Sequence, residues 1–561
     1  MRGVLRTLIR ATAACWAAVA VYVGLTLPPP RVTLDSTMPA THALGGYHIH
    51  TLRSDGSGTV DNVAEAARRS GLQFLIFTDH GDATRVPDAP TYRHGVLCID
   101  AVEISTREGH IVALGLNGSA PYPLAGAARD VIDDIHRLGG RAVLAHPDSP
   151  SAALRWTGQG QGFDGIEWLN GDSEWRDKSP WRLLATAARS VVRPSESIAS
   201  LFSRPVRTLV RWDAADRQRP VFGLAALDAH ARIGWSQTEE PRGPGVLQRP
   251  TYAAMFGTVA QVAVLDTAPS GDANRDAAAV LSAIVGGRSY SIVRAFGGPA
   301  ALRFSGDRGA EHLRMGDRAP AGTGPMVFHA EIAGAPGAAL ALYADGRVIS
   351  RGAGAITSTS ATAGVYRIEA SWPGASVPWI VSNPIVLTDD RVAPPRAPEP
   401  AAAEQRPIAI TLPSWTIESE PSSAGQYRVD DERLRFDYRL GGGAPNGQYA
   451  ALVVPVASDA GIDRVEATVR ADRPMRMSLQ VRMPAGRGGQ RWRRSIYVDE
   501  TPRLIAVRLQ DFEPADAPTT RRPIVAPIET LLFVVDTVNS PPGRSGTVWI
   551  SNVTLGIDRL R

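Results

Sequence analysis

Residues 45–56 read G-G-Y-H-I-H-T-L-R-S-D-G, with His48 and His50 separated by one residue and Asp55 following in the same stretch. In a β-strand, positions i and i+2 point to one face. The spacing therefore predicts two imidazoles converging on one metal ion, with Asp55 supplied by the loop beyond. An isolated H-x-H is more often two polar side chains on the solvated face of a sheet, so the rest of the chain has to decide. Asp79 and His80 close the apolar run L-Q-F-L-I-F-T-D-H, and Glu103 follows V-L-C-I-D-A-V. His110 opens G-H-I-V-A-L-G-L, His146 ends R-A-V-L-A-H, and Asp228 and His230 end F-G-L-A-A-L-D-A-H. Six of the 11 histidines thus sit at the edges of expected strands. His and carboxylate donors suit Zn, Mn or Fe without choosing among them.

Alternating strand and helix must position these residues. Thr59 or Asp61 can cap a helix through Arg69, and Gly71 stops it before a strand over residues 72–77. A second helix is expected over 127–138, ended by Gly139 and Gly140 before a strand over 141–145. Such alternation predicts a parallel sheet with crossover helices, whose sites form at the C-terminal ends of the strands. Between residues 175 and 220 an Arg-rich, proline-interrupted insertion of two or three helices precedes the strand bearing Asp228 and His230. It is expected to pack on this domain with a solvated arginine face; a lid, or a surface lying on an anionic membrane, is the functional alternative. A last helix over 277–285 should close the domain.

The ordered set H-x-H-T-x-x-S-D-G, T-D-H, a glutamate, H-P and D-x-H, spread over residues 44–296, resembles the PHP superfamily, the polymerase and histidinol phosphatase domains. The resemblance implies a distorted seven-stranded (β/α)7 barrel holding two or three divalent metals at its strand ends. It also implies hydrolysis of a phosphate monoester or diester. By the same pattern His48, His50, Asp55, His80, Glu103, His146, Asp228 and His230 are metal ligands, with His110 a further one. Asp79 would act beside the metal-bound histidines, and Glu167 is a pocket candidate. Arg53 and Arg232, adjacent to ligand positions, would clamp a phosphate as planar forks. Hydrolysis of an amide or ester on the same barrel, or a non-catalytic glycan-binding surface protein, are the rival readings.

Composition bounds the rest. A chain of 561 residues, 44% hydrophobic and 21% charged, is globular and multidomain. The net charge of +4 is scattered over arginines, Lys178 being the one lysine, so no nucleic-acid footprint is present. Cys15 and Cys98 build no disulfide framework. Arg2, Arg6 and Arg10 precede an uncharged, mostly apolar run over 11–27 and three prolines, which reads as a secretory signal or, preferably, an uncleaved anchor within residues 1–30. The arginines would stay in the cytoplasm and send the body across to the periplasmic side. Residues 31–43 link this segment to the barrel of 44–296. Short alternating strands over 297–390 suggest an immunoglobulin-like β-sandwich, residues 391–406 a Pro/Ala linker, and 407–561 a second sandwich resembling galactose-binding-like jelly rolls. Trp415, Trp492 and Tyr497 are its candidate sugar-stacking aromatics, although aromatics in sandwiches are more often core.

Overall fold

The computed structural model describes residues 2–34, 37–158, 162–232, 250–322, 324–389, 404–408, 414–430, 433–443, 447–456, 462–484, 490–515 and 528–557. The chain forms two compact units, residues 1–118 with 127–393, and residues 119–126 with 394–561.

In the first unit, α1 (Arg2–Thr26) is one 25-residue helix whose stretch Val4–Thr26 is long and apolar enough to cross a membrane. The strands that follow are β1 (His42–Tyr47), β2 (Phe74–Phe77), β3 (Thr91–Arg93), β4 (Val96–Asp100), β5 (Val102–Thr106) and β6 (Gly109–Leu114). Then come β7 (Arg141–Leu144), β8 (Gly165–Asn170), β9 (Phe222–Ala226), β10 (Ala260–Val264) and β11 (Ser289–Ile292). The helices between them are α2 (Val60–Arg69), α3 (Ala128–Arg137), α4 (Pro180–Arg189), α5 (Pro194–Ala199), α6 (Val206–Gln218), α7 (Tyr252–Phe256) and α8 (Ala273–Val285). Thr59 caps α2 by accepting from the Asn62 amide, as its position in sequence predicts.

The (β/α)7 barrel implied by the family resemblance is not formed. The strands lie in two open sheets, one running β11-β10-β1-β2-β4-β3 within a 12-stranded sheet and the other β5-β6-β7-β8-β9. Only a turn at residues 107–108 joins β5 to β6, far too short for the crossover that parallel neighbours need, so they pair antiparallel. β10 and β11 also run antiparallel to their neighbours. β11 then pairs with Ile380–Ser382, so the strands on both sides of Phe296 share one sheet. Elsewhere residues 302–360 contribute a separate four-stranded sheet.

The two open sheets share their interior. Tyr47, Phe74, Ile76, Val112, Val143 and Leu224 belong to one apolar core, sealed by Val280 and Ile284 of α8. Inside it, the Trp168 indole on β8 donates to Ser291 Oγ on β11 at 2.9 Å, and Ser291 donates to Gln261 Oε1 on β10 at 2.8 Å. Isolated bridges Ile49–Ala229 and His80–Glu103 join the sheets where the chemistry-bearing residues lie.

The helical insertion is the crossover between parallel β8 and β9, which chain geometry requires. Its last helix, α6, buries Trp212 over Gly223, where any Cβ would strike the indole, and Trp212 Nε1 donates to Val221 O at 2.7 Å. On its other side α6 offers Asp213 to the buried Arg367 guanidinium, which also holds Glu369 Oε1 at 3.0 Å. Arg204 Nη2 reaches the same Glu369 oxygen at 2.9 Å.

The second unit is two six-stranded sheets packed face to face over a core including Leu434, Phe436, Leu452, Leu479 and Phe533. Trp415 and Trp492 belong to that core, so neither is a sugar platform; Tyr497 is half-buried, 6.4 Å from the Tyr122 ring. Residues 391–403 of the expected Pro/Ala linker lie outside the described residues, while Glu404–Pro407 pairs as a strand with the C-terminal strand Ser545–Ile557.

Arg367→Met leaves Asp213 buried without its cation and Glu369 held by Arg204 alone, and is expected to destabilise the first unit by about 3 kcal/mol. The urea midpoint followed by circular dichroism reads this; an unchanged midpoint would mean that water already solvates the two carboxylates.

Candidate metal centre

His48 stands one residue beyond β1 with φ 64°, in the left-handed region that costs a non-glycine residue energy. The two histidines therefore do not share a face through strand alternation. A turn aims them instead, and His50 is fixed by its amide donating to Ala229 O at 3.0 Å. The rings nevertheless converge, Nε2 to Nε2, at 3.1 Å. His146 and Asp228 take left-handed φ values of 31° and 50°. Strain at three positions that face one point is the pattern of a site whose geometry the surrounding fold enforces.

The loop after His50 is built around Asp79. Its Oδ1 accepts from the Thr51 amide and the Ser54 hydroxyl, both at 2.7 Å, and its Oδ2 accepts from Thr51 Oγ1 at 2.7 Å. Asp79 therefore positions the loop that carries Asp55. Gly56 closes this loop, and a Cβ there would collide with the His50 backbone carbonyl.

Nine side chains from these segments meet. His48 Nε2 lies 3.1 Å from Glu103 Oε2 and 3.5 Å from Asp228 Oδ1, and His50 Nε2 lies 3.2 and 3.4 Å from the same two atoms. Glu103 Oε1 is 2.9 Å from both His110 Nδ1 and His146 Nε2, and Oε2 is 3.4 Å from His80 Nδ1. Asp55 Oδ1 is 3.1 Å from His230 Nε2, 3.4 Å from His50 Nδ1 and 3.9 Å from His80 Nε2. His110, the second residue of β6, thus joins the cluster.

Ring tautomers are fixed from behind. His48 Nδ1 donates to Glu167 Oε1 at 2.5 Å, His146 Nδ1 to Leu154 O at 3.1 Å, and His230 Nδ1 to Asp228 O at 3.0 Å, leaving each Nε2 facing inward. Glu167 Oε2 also accepts from the His146 amide and from Asn170 Nδ2, each at 2.8 Å, and Asn170 reaches Asp228 Oδ2 at 3.1 Å. A register shift between Glu167 and Leu169 brings Glu167 and Asn170 to the same side of β8, where regular alternation would separate them. Asn170 is the participant that sequence reading missed; the polar pair E-x-x-N ending an apolar strand was its signal.

These donors fit divalent cations. Two ligands about 2.0–2.1 Å from a zinc ion at the tetrahedral angle stand about 3.3 Å apart, and the His48, His50 and Asp228 atoms are spaced at 3.1 to 3.5 Å. Three overlapping groups have this character: His48 with His50 and Asp228; His80 with Glu103 and His110; and His50 with Asp55, His80 and His230. Asp55 Oδ1 and His80 Nδ1 are buried and, among the described residues, make no hydrogen bond of good geometry, which leaves both able to take a ligand.

The electrostatics agree. Burial opposes a charge on His48, yet Glu167, Asp228 and Glu103 outweigh it and hold the imidazole well above its usual pKa. His50, also against burial, is raised to about 10 by hydrogen bonds to Asp228 and Glu103. At His80 burial prevails over Glu103 and lowers the value to about 4. Burial would raise Glu103 and Asp228, but the imidazoles around them hold both carboxyls well below the usual range. The carboxylates demand positive charge, and a bound cation would take it over from imidazole protons.

Arg232 Nη2 donates to Asp55 Oδ2 at 3.0 Å, at the margin of the cluster. Arg53 instead turns to Asp88 and lies 3.5 Å from Asp100. With Asp79, His80 and Arg85 it lines a cavity of about 140 Å³ beside the cluster. His42, His94, His136, His312 and His329 make contacts elsewhere.

Glu167→Gln removes the charge behind His48 and is expected to weaken metal binding about 10- to 100-fold, measured by competition with a chromophoric chelator. Unchanged affinity at an unchanged melting temperature would make Glu167 a packing residue.

No family model matches the chain. A stretch of 82 residues, 13% of the chain, is 34% identical to the phosphoribosyl 1,2-cyclic phosphate 1,2-diphosphodiesterase of Eggerthella lenta, and spans 31% of that protein. Among solved structures, the family 11 carbohydrate-binding module of the cellulosomal cellulase Lic26A-Cel5E of Clostridium thermocellum is similar at 12% identity and a TM-score of 0.24, over 28% of this chain and 96% of the module. A mutant of a family 29 carbohydrate-binding module is similar at 9% identity and a TM-score of 0.19, over 28% and 92%. The two modules are too distant to bear on what this chain binds. The chain has in common with a phosphodiesterase one short stretch of sequence, and it carries clusters of side chains able to hold metal ions.

Proposed function

We propose that the chain is a metal-dependent phosphoesterase related to the PHP superfamily, and that its substrate is a phosphodiester. The observation that carries this reading is the convergence of His48, His50, Asp55, His80, Glu103, His110, His146, Asp228 and His230 around a few shared points. The Eggerthella protein's name gives a cyclic phosphodiester as its substrate, which favours a diester over an amide or carboxylic ester here.

His48, His50 and Asp228 would hold one cation, and His80, Glu103 and His110, with His146 on the same carboxylate, a second. Asp55 and His230 would offer a third place, with His50 or His80 completing it only where that ring is not engaged by one of the other two cations. Bound there, Zn, Mn or Fe ions would supply a hydroxide at neutral pH and offset the charge gathering on the phosphoryl oxygens. Glu167 and Leu154 O keep the His48 and His146 rings in the ligating tautomer. Arg232, held by Asp55, would present its remaining N–H groups to a phosphoryl oxygen. Arg53 faces the adjoining cavity and would meet the group esterified to the phosphate. Asp79 acts at one remove, by holding the loop that carries Asp55.

The proposed location is the outer face of a membrane. Arg2, Arg6 and Arg10 precede the span, and such charge stays cytoplasmic. On this reading α1 is retained as an anchor and both units lie on the periplasmic side.

The test is metal content per chain together with a substrate panel on the full chain. Two or three transition-metal ions are expected, sharply fewer in a His48→Ala, His50→Ala double variant. A cyclic or linear phosphodiester should be turned over, with activity lost in chelator and restored by added zinc, manganese or iron. A chain that takes up none of these metals would overturn the reading; a metal-loaded chain that releases amine or acetate but no phosphate ester product would move it to the amide or ester class.

A further inference from the structure

The crossover between β8 and β9 exposes an apolar stripe that the proposed catalysis does not use. Trp181, Leu184 and Val191 recur at helical spacing along α4 and the turn after it, and are 79%, 61% and 82% exposed. Val192 continues the stripe. Thr186, on the opposite side of α4, is buried. A Trp, a Leu and two Val side chains this exposed within residues 181–192 exceed the scatter of single apolar residues found on an ordinary surface.

What adjoins this stripe is the end of α1. Thr26 O accepts from Arg189 Nη1 at 3.2 Å, Pro28 O accepts from Arg193, and Val23 of α1 is buried. The chain leaving a helix fit to span a bilayer is thus fastened to the helices that carry the stripe. Arg182, Arg189, Arg193 and Lys178 lie in the same segment, against Asp177 and Glu196, an excess of positive charge. An amphipathic helix with Trp on its apolar side and basic residues beside it is suited to the headgroup–acyl boundary, where Trp is enriched and basic side chains meet anionic lipid.

We propose that Trp181, Leu184, Val191 and Val192 form a second membrane contact, seated in the interface of the phospholipid bilayer that α1 enters, on the side opposite Arg2, Arg6 and Arg10. The contact rests on α1 being a retained span. The first unit would then hang from the bilayer at two points, the span and the stripe, and its orientation about the span would be fixed.

The test uses the full chain in vesicles of phosphatidylethanolamine and phosphatidylglycerol. Single-cysteine variants Leu184→Cys and Val191→Cys are made in a Cys15→Ser, Cys98→Ser background and labelled with a fluorophore. Val86→Cys, exposed elsewhere on the first unit, is the aqueous control, and native Cys15 labelled in a Cys98→Ser chain reports on α1. Labels at 184 and 191 are expected to be quenched severalfold more by lipid-borne bromines than the label at 86, and to be shielded from aqueous iodide. Adding Trp181→Glu and Leu184→Glu should abolish the lipid quenching at 191 while the chain still floats with the vesicles. Labels at 184 and 191 that respond like the one at 86, with Cys15 still quenched from the lipid, would overturn the contact alone. Cys15 open to iodide would overturn the span and the contact with it.

Discussion

Charge in a buried place has to be matched, and in this molecule that constraint falls on one point. Glu103, Glu167 and Asp228 are almost wholly removed from solvent, where an unpaired carboxylate costs several kcal/mol. The imidazoles of His48, His50, His110 and His146 close around them, themselves buried. Neither set is stable there without the other or without a cation. The surrounding backbone converges on it: three left-handed residues, a register shift in β8 and a loop collected on Asp79 are local costs of the kind that gather where a fold enforces one geometry. A site of this kind is preorganised, because the donors are already spaced as ligands of a common ion would be.

The residues of this cluster were legible in the sequence, while the means of assembling them were not. H-x-H, T-D-H, H-P and D-x-H mark donors because each closes or follows an apolar strand, and a strand end is where side chains leave a core. Strand alternation, however, predicts a common face for His48 and His50, whereas His48 has already left the strand and turned over. Alternation likewise separates Glu167 from Asn170, which a register shift reunites. Both departures are backbone events at strand ends, and a pattern of side-chain types carries no direct record of φ. The (β/α)7 barrel implied by the family resemblance, and the parallel sheet that alternation predicts, fail for a related reason. Alternating strand and helix suggests parallel neighbours throughout, but the turn between β5 and β6 leaves no length for a crossover, and β11 finds its next partner in residues 380–382 rather than closing a ring.

The modules after Phe296 illustrate the same limit. Their strands are readable from alternation, yet the sharing of one sheet across Phe296 depends on long-range register. In the second unit Trp415 and Trp492 could have faced either way by residue type; packing against Phe533, Val481 and their neighbours takes them into the core. Residue type proposes a role there, and burial assigns it.

The crossover from β8 to β9 joins these themes. It leaves β8 at Asn170, whose Oδ1 accepts from the Ser173 amide at 2.9 Å, and returns into β9, which delivers Asp228. Between those two points it meets the end of α1 through Arg189 and Arg193, and clamps Arg367 and Glu369 through Asp213 and Arg204. Parallel pairing demands a connection here, but a single helix would satisfy it. The extra length ties the crossover to the sheet that carries Arg367 on one side and to the end of α1 on the other. The parallel pairing of β8 with β9 sets Asn170 opposite Ala226, and the restrained crossover adds a second hold on the two strand ends that bring Asn170 and Asp228 within 3.1 Å.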